Sequence, residues 1–254
     1  MQTGYDRSIF LSTMPATRRD RTAALAVVGV SAVLFACSVP FAGTPLAPVP
    51  AFVASYQSAL AINDLLTAVL LFSQFAILRS RALLLLASGY LFTAVAAIVH
   101  ALSFPGVFAP TGLLNAGPQT TAWLYQIWHL GFPILMLGYA LLKGSDGGVK
   151  IRGSVDRAIL GSVVAVAVAM SFATWIVTAR HDLLPVMISG GHFTATLIST
   201  LSLEVFLSFA TLLVLWFRRP HSVLDVWLMV VMIAWMFDIA LSGILNAARL
   251  SSTS

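Results

Sequence analysis

The 254-residue sequence predicts an all-α, polytopic transmembrane helix bundle of about seven spans, and three observations carry that expectation. Hydrophobic residues make up 59% of the chain, charged residues only 9%, and mean hydropathy is +0.94. A water-soluble fold needs charged side chains to cover its faces, whereas lipid solvates apolar ones directly. Apolar runs of about 20 residues, the length that crosses a hydrocarbon core, recur along the chain. Lys and Arg collect in alternate connections between those runs, the pattern that sets topology in a bilayer.

Residues 1–20 are polar, end in Arg18, Arg19 and Asp20, and lack the short apolar core and small-residue cleavage site of a secretory signal. The first apolar run therefore reads as a retained anchor. The spans fall at roughly 22–42, 57–78, 82–104, 121–142, 156–179, 195–217 and 222–246. Breakers separate them: Pro40, Pro45, Pro48 and Pro50 after the first, Pro105 and Pro110 after the third, the glycine-rich 144–148 stretch after the fourth, and Pro220 before the seventh. The organisation is a cytoplasmic segment over 1–20, one membrane domain over 21–248 and a tail over 249–254. The uncharged connections 43–56 and 105–120 are expected to cap helix ends at the interface.

Twelve of the fourteen basic residues precede span one or join spans two and three, four and five, or six and seven, leaving only Arg180 and Arg249 on the other side. Positive-inside reasoning places the N-terminus in the cytoplasm and Ser254 outside. The charge of +5 thus reads as a topology signal, with membrane lipid and not nucleic acid as the partner. A single cysteine, Cys37, excludes an internal disulfide and every multi-cysteine metal framework. The only lysines, Lys143 and Lys150, flank the loop between spans four and five, which excludes a retinal Schiff base within a span.

Ionisable side chains inside a bilayer are costly, face the bundle interior and mark functional sites. Here they are Asp64, His100, His129, Glu204 and Asp238, with His192 where span six begins. At about 1.5 Å per residue all six fall in the outer half, which points to a polar chamber open to the outside that binds a ligand or senses protons. Asn63 beside Asp64, and Gln119, Tyr125, Gln126 and Trp128 around His129, are the accessory candidates. A buried carboxylate also serves as a structural acid, a lone histidine as a helix-to-helix hydrogen-bond group, and Tyr125 and Trp128 as belt aromatics. Gly89, Thr93, Ala96, His100 and Ser103 make a small-residue stripe on span three, which should face protein and suits monomer packing or a homodimer. His221 and Asp225 are expected to be capping and surface residues at the start of span seven.

The stretch LLASGYLFTAVAAIVHALSFPGVFAPTGLLNAGPQTTAWLYQIWHLGFPILMLGY from Leu85 to Tyr139 resembles the signature of the fourth class of membrane-associated sensor (MASE) domains. NDLLTAVLLFSQF at 63–75 and ISGGHFT at 188–194 agree, and the resemblance runs from about residue 20 to the end. It implies an input module of bacterial signalling proteins, set in the bacterial inner membrane and followed in family members by a cytoplasmic diguanylate cyclase (GGDEF) or histidine-kinase domain. The chain shows no GGDEF-like loop, nucleotide-binding glycine motif or phosphoacceptor helix, so no enzyme activity of its own is expected. Delivery of an output domain beyond span seven would need an eighth crossing.

Sensing of a small molecule, ion or proton is the leading expectation. A membrane metalloenzyme, or b-type haem held between His100 and His129, is a second, although no HxxxH or HExxH pair occurs. A small transporter is a third, with no inverted repeat to support it.

Overall fold

The computed structural model describes residues 10–41, 44, 49–114, 116–144 and 150–252; the side chains of 50 and 245–252 are not described. Seven helices in it are long and apolar enough to cross a membrane. They are α1 (Arg18–Ser38), α2 (Pro50–Leu78), α3 (Arg81–Ser103), α4 (Thr120–Leu142), α5 (Val155–Ala179), α6 (Ala195–Phe217) and α7 (Val223–Ser252). Local chemistry sets their starts. Thr17 and Asp20 form a reciprocal capping box on α1, and Ser154 and Thr194 cap α5 and α6 by accepting from Arg157 N and Leu197 N.

Two boundaries differ from expectation. Pro50 opens α2, so 50–56 is helix and not an interfacial loop; proline suits a first helical position because its missing N–H would be unpaired there anyway. At the other end α7 continues to Ser252, taking in most of the expected tail.

Helices α3 and α4 form the centre, with half of each apolar window buried against 6% for α1 and 11% for α5. Around them α2 packs on α3, α6 on α4, α7 on α6 and α1 on α7, while α5 lies against α3 and α4. The small-residue stripe of α3 is buried inside the protomer; a Cβ on Gly89 would stand 2.7 Å from Met136, and one on Gly131 of α4 would stand 2.5 Å from Phe92. That stripe therefore serves monomer packing and offers no dimer face. The largest apolar cluster, including Phe75, Leu86, Phe132, Met136, Leu215 and Met232, fills the half nearer the basic connections.

At this basic end residues 10–16 lie along the start of α7, where Ala16 N donates to His221 O at 3.0 Å and Val223 N to Met14 O at 2.9 Å. Asp225 caps α7 as expected, accepting from Ser222 N at 2.6 Å and Ser222 Oγ at 2.7 Å, but it is no surface residue. It is fully buried, accepts from Tyr139 Oη at 2.9 Å, and forms an ion pair with Lys143. His221, also expected at the surface, is 8% exposed and paired through Nε2 with Trp216 O. The reason is tertiary: the C-terminus of α4 and the N-terminal segment both close over this turn.

At the far end a two-stranded hairpin, β1 (Ile188–Ser189) and β2 (His192–Phe193), turns through Gly190 and Gly191 at φ of 57° and 80°, a conformation that glycine adopts without strain. Gln119 pins it to the start of α4, accepting from Met187 N and Ile188 N at 2.9 and 3.0 Å and donating to Ile188 O at 2.9 Å.

Candidate functional site

A cavity of about 460 Å³ opens between α2, α3, α4, α6 and α7 at the hairpin end. His100, His129 and Asp238 line it, as do Tyr125, Gln126 and Trp128; Phe193 and Leu201 form apolar wall.

Its most connected group is built on one turn of α4. Tyr125 and His129 are four residues apart, so they share a face, and their rings stack with centroids 3.6 Å apart. Tyr125 Oη donates to Asp238 Oδ2 at 2.8 Å, and His129 Nε2 lies 3.3 Å from the same oxygen. His129 Nδ1 lies 2.9 Å from the Tyr125 carbonyl, which can only accept, so that nitrogen carries a proton. Nε2 is left facing the Asp238 carboxyl, which already accepts from Tyr125.

Pro133 contributes from one turn below. Lacking an N–H, it leaves the His129 carbonyl without its helical donor, and the indole of Trp235 on α7 supplies one at 3.3 Å. Trp235 also packs on the His129 ring at 4.8 Å between centroids. Helix α7 thus holds His129 by its backbone, its ring and its Nε2.

His100, from α3, meets Gln57 of α2, with Gln57 Nε2 and His100 Nδ1 2.6 Å apart and both residues buried. Sequence reasoning missed Gln57 because a neutral amide carries none of the expense of an ionisable group. A signal was available: with α2 starting at Pro50, Gln57 stands two turns from Asp64 on the same face.

Depth alone does not bring all six ionisable candidates together. Asp64 is half-buried at the α2/α3 contact beside Thr93 and Tyr90, away from the cavity lining, and Asn63 is exposed. Glu204 is fully buried behind the lining, next to Trp235. His192 sits on β2, outside the lining, with Nδ1 buried and unpaired among the described residues. Gln119 is committed to the hairpin.

Among the described residues no group of three or more His, Cys, Asp and Glu side chains converges to hold a metal ion. Bis-histidine haem ligation meets a further obstacle, since both nitrogens of His129 are engaged and, among the described residues, only the Nε2 of His100 has no hydrogen-bond partner.

The family model described as membrane-associated sensor, integral membrane domain (MASE4) matches residues 47–252. The chain belongs to this family. It is therefore a MASE4 membrane sensor domain, with the match spanning α2 to α7 and leaving α1 outside. No curated protein and no solved structure matches the chain. The resemblance seen in HALSFPG, QIWHLGFP and ISGGHFT falls on the cavity: these segments supply His100, Phe104, Trp128, His129, Ile188 and Phe193 to its lining.

Proposed function

We propose that this MASE4 domain is the input module of a bacterial inner-membrane signalling protein, oriented with its basic end in the cytoplasm, and that its cavity receives a small ligand from the outer face. The mixture of rings with histidine, amide and carboxyl groups suits a compact molecule with an aromatic or apolar body and polar substituents. In this reading the chain senses and does not catalyse; a cytoplasmic partner such as a diguanylate cyclase carries the output.

One observation carries the proposal: the cavity lies across a contact between α4 and α7 whose opposite end is also a carboxylate contact. Tyr125 and His129 of α4 meet Asp238 of α7 in the cavity, and 14 residues on, Tyr139 and Lys143 meet Asp225. A ligand that takes the hydrogen bonds of Asp238 or His129 changes how the helices are held at one end while the other stays fixed. Such a ligand shifts the arrangement by as much as its affinity differs between the two states.

The test is a fusion with a diguanylate cyclase on the cytoplasmic side, read as cellular cyclic-di-GMP. His129→Asn, Asp238→Asn and His100→Gln are each expected to move output several-fold from the parent. Output unchanged by all three substitutions removes the cavity from the mechanism.

A further inference from the structure

Behind the cavity wall, α4 and α6 run side by side in the same direction. Thr211 Oγ1 donates to Pro133 O at 3.2 Å and Arg218 Nη1 to Leu141 O at 2.8 Å, which fixes their register. Two turns back from the first of these contacts on each helix stand Glu204 and Gln126, at one level across the interface, with Ser208 one turn along the same face of α6. All three are sealed, with exposures of 0% for Glu204, 1% for Gln126 and 0% for Ser208. Both carboxyl oxygens of Glu204, both amide atoms of Gln126 and the Ser208 hydroxyl lack a hydrogen bond among the described residues.

Ser208 is unusual among the helix hydroxyls here: Ser88, Ser202 and Thr211 each donate to the carbonyl four residues back, and Ser208 does not. The neighbouring indole of Trp235 gives its N–H to His129 O. Asp238 is matched by Tyr125 and His129, whereas the Glu204 carboxyl has beside it only the Trp235 indole, whose N–H is already given to His129 O.

We propose that Glu204, Gln126 and Ser208 form a buried site for an alkali-metal cation between α4 and α6. A protonated Glu204 would close on the amide or the hydroxyl at about 2.7 Å, as carboxylic acids do. Instead the register sets the three groups on the facing sides of α4 and α6 with no hydrogen bond among them. A hard cation bound through oxygen at roughly 2.4 Å holds its ligands about 3–5 Å from one another, beyond hydrogen-bond reach. The charge selects the class of ion. Calcium takes about 6–8 oxygens and commonly several carboxylates, whereas a single carboxylate beside two neutral oxygens is neutralised by a monovalent ion, leaving no net charge in the bilayer. The site is separable from the sensory reading, because Gln126 alone of its three residues also lines the cavity while Glu204 and Ser208 do not.

Thermal unfolding of the full chain in detergent, in NaCl, KCl, LiCl or choline chloride at one ionic strength, tests this. At least one alkali ion is expected to raise Tm saturably, by about 5–10 °C at roughly a hundred times its Kd, with no response to choline. Glu204→Gln should abolish the response, Ser208→Ala should raise the half-saturating concentration about tenfold, and His129→Asn should leave it in place. The proposal is overturned if the parent melts alike in all four salts, if Glu204→Gln responds like the parent, or if His129→Asn alone removes the effect. Should Glu204→Gln fail to fold, an unmoved midpoint in Ser208→Ala overturns it equally.

Discussion

The two contacts that join α4 to α7 share a plan and differ in surroundings. Each uses a tyrosine hydroxyl and, four residues later, a basic side chain of α4, both directed at one aspartate of α7. At the basic end Asp225 is fully buried, accepts from Tyr139 and from the Ser222 N–H and hydroxyl, and pairs with a lysine that also donates to Arg218 O and Pro220 O. Every donor of that ammonium is used. At the cavity end the Asp238 side chain is 51% exposed, the partner is histidine, and Nε2 stands 3.3 Å away. A buried, saturated pair fixes geometry, whereas a half-open pair beside a cavity is one that water, a proton or a ligand can rearrange. The same three residue types thus give an anchor at one end and an adjustable contact at the other.

The largest effect that would break this comparison is expected from Asp225→Asn. It leaves the Lys143 ammonium without its counter-charge in a closed site, and stability should fall by about 3–5 kcal/mol, read from thermal or denaturant unfolding in detergent. A loss under about 1 kcal/mol would put Asp225 on the same footing as an exposed pair. Asp238→Asn should lower stability by no more than about 1 kcal/mol while changing the output of the fusion. The tyrosines sharpen the contrast: Tyr139→Phe removes a hydrogen bond to a buried charged group, worth about 1.5–3 kcal/mol, and Tyr125→Phe one to a half-exposed group, worth about 0.5–1.5 kcal/mol. Equal losses would mean that both ends are structural.

Span number and position were legible because lipid acts on every residue of a span, so length and hydropathy alone locate it. Azimuth was less so. Depth placed Asp64, His100, His129, Glu204 and Asp238 in one slab, but which of them face a common space depends on how each helix is rotated, and packing sets that. His100, His129 and Asp238 turn towards the cavity, Asp64 towards Thr93, and Glu204 lies sealed beside Trp235. Asp225 shows the converse. Its position in the first turn of α7 announces a cap, and nothing local announces that Tyr139 and Lys143, more than 80 residues earlier, close over it. Gln57 was hidden by its neutrality and by a helix start placed too late.

The smallest expected effect concerns which end of the bundle yields first. The hairpin that roofs the cavity is tied down by the Gln119 side chain, which satisfies Met187 N and Ile188 N, whereas Val223 N and Leu224 N at the basic end are satisfied by backbone carbonyls of residues 14 and 11. Gln119→Ala removes the first set of acceptors and leaves the second untouched. Amide hydrogen exchange at Met187 and Ile188 should quicken by about tenfold, a local opening worth about 1.4 kcal/mol, with no change at Val223 and Leu224. Exchange that quickens at both ends together would show that α4 transmits the loss along its length, and the anchor at Asp225 would then be part of the moving element and not its fixed point.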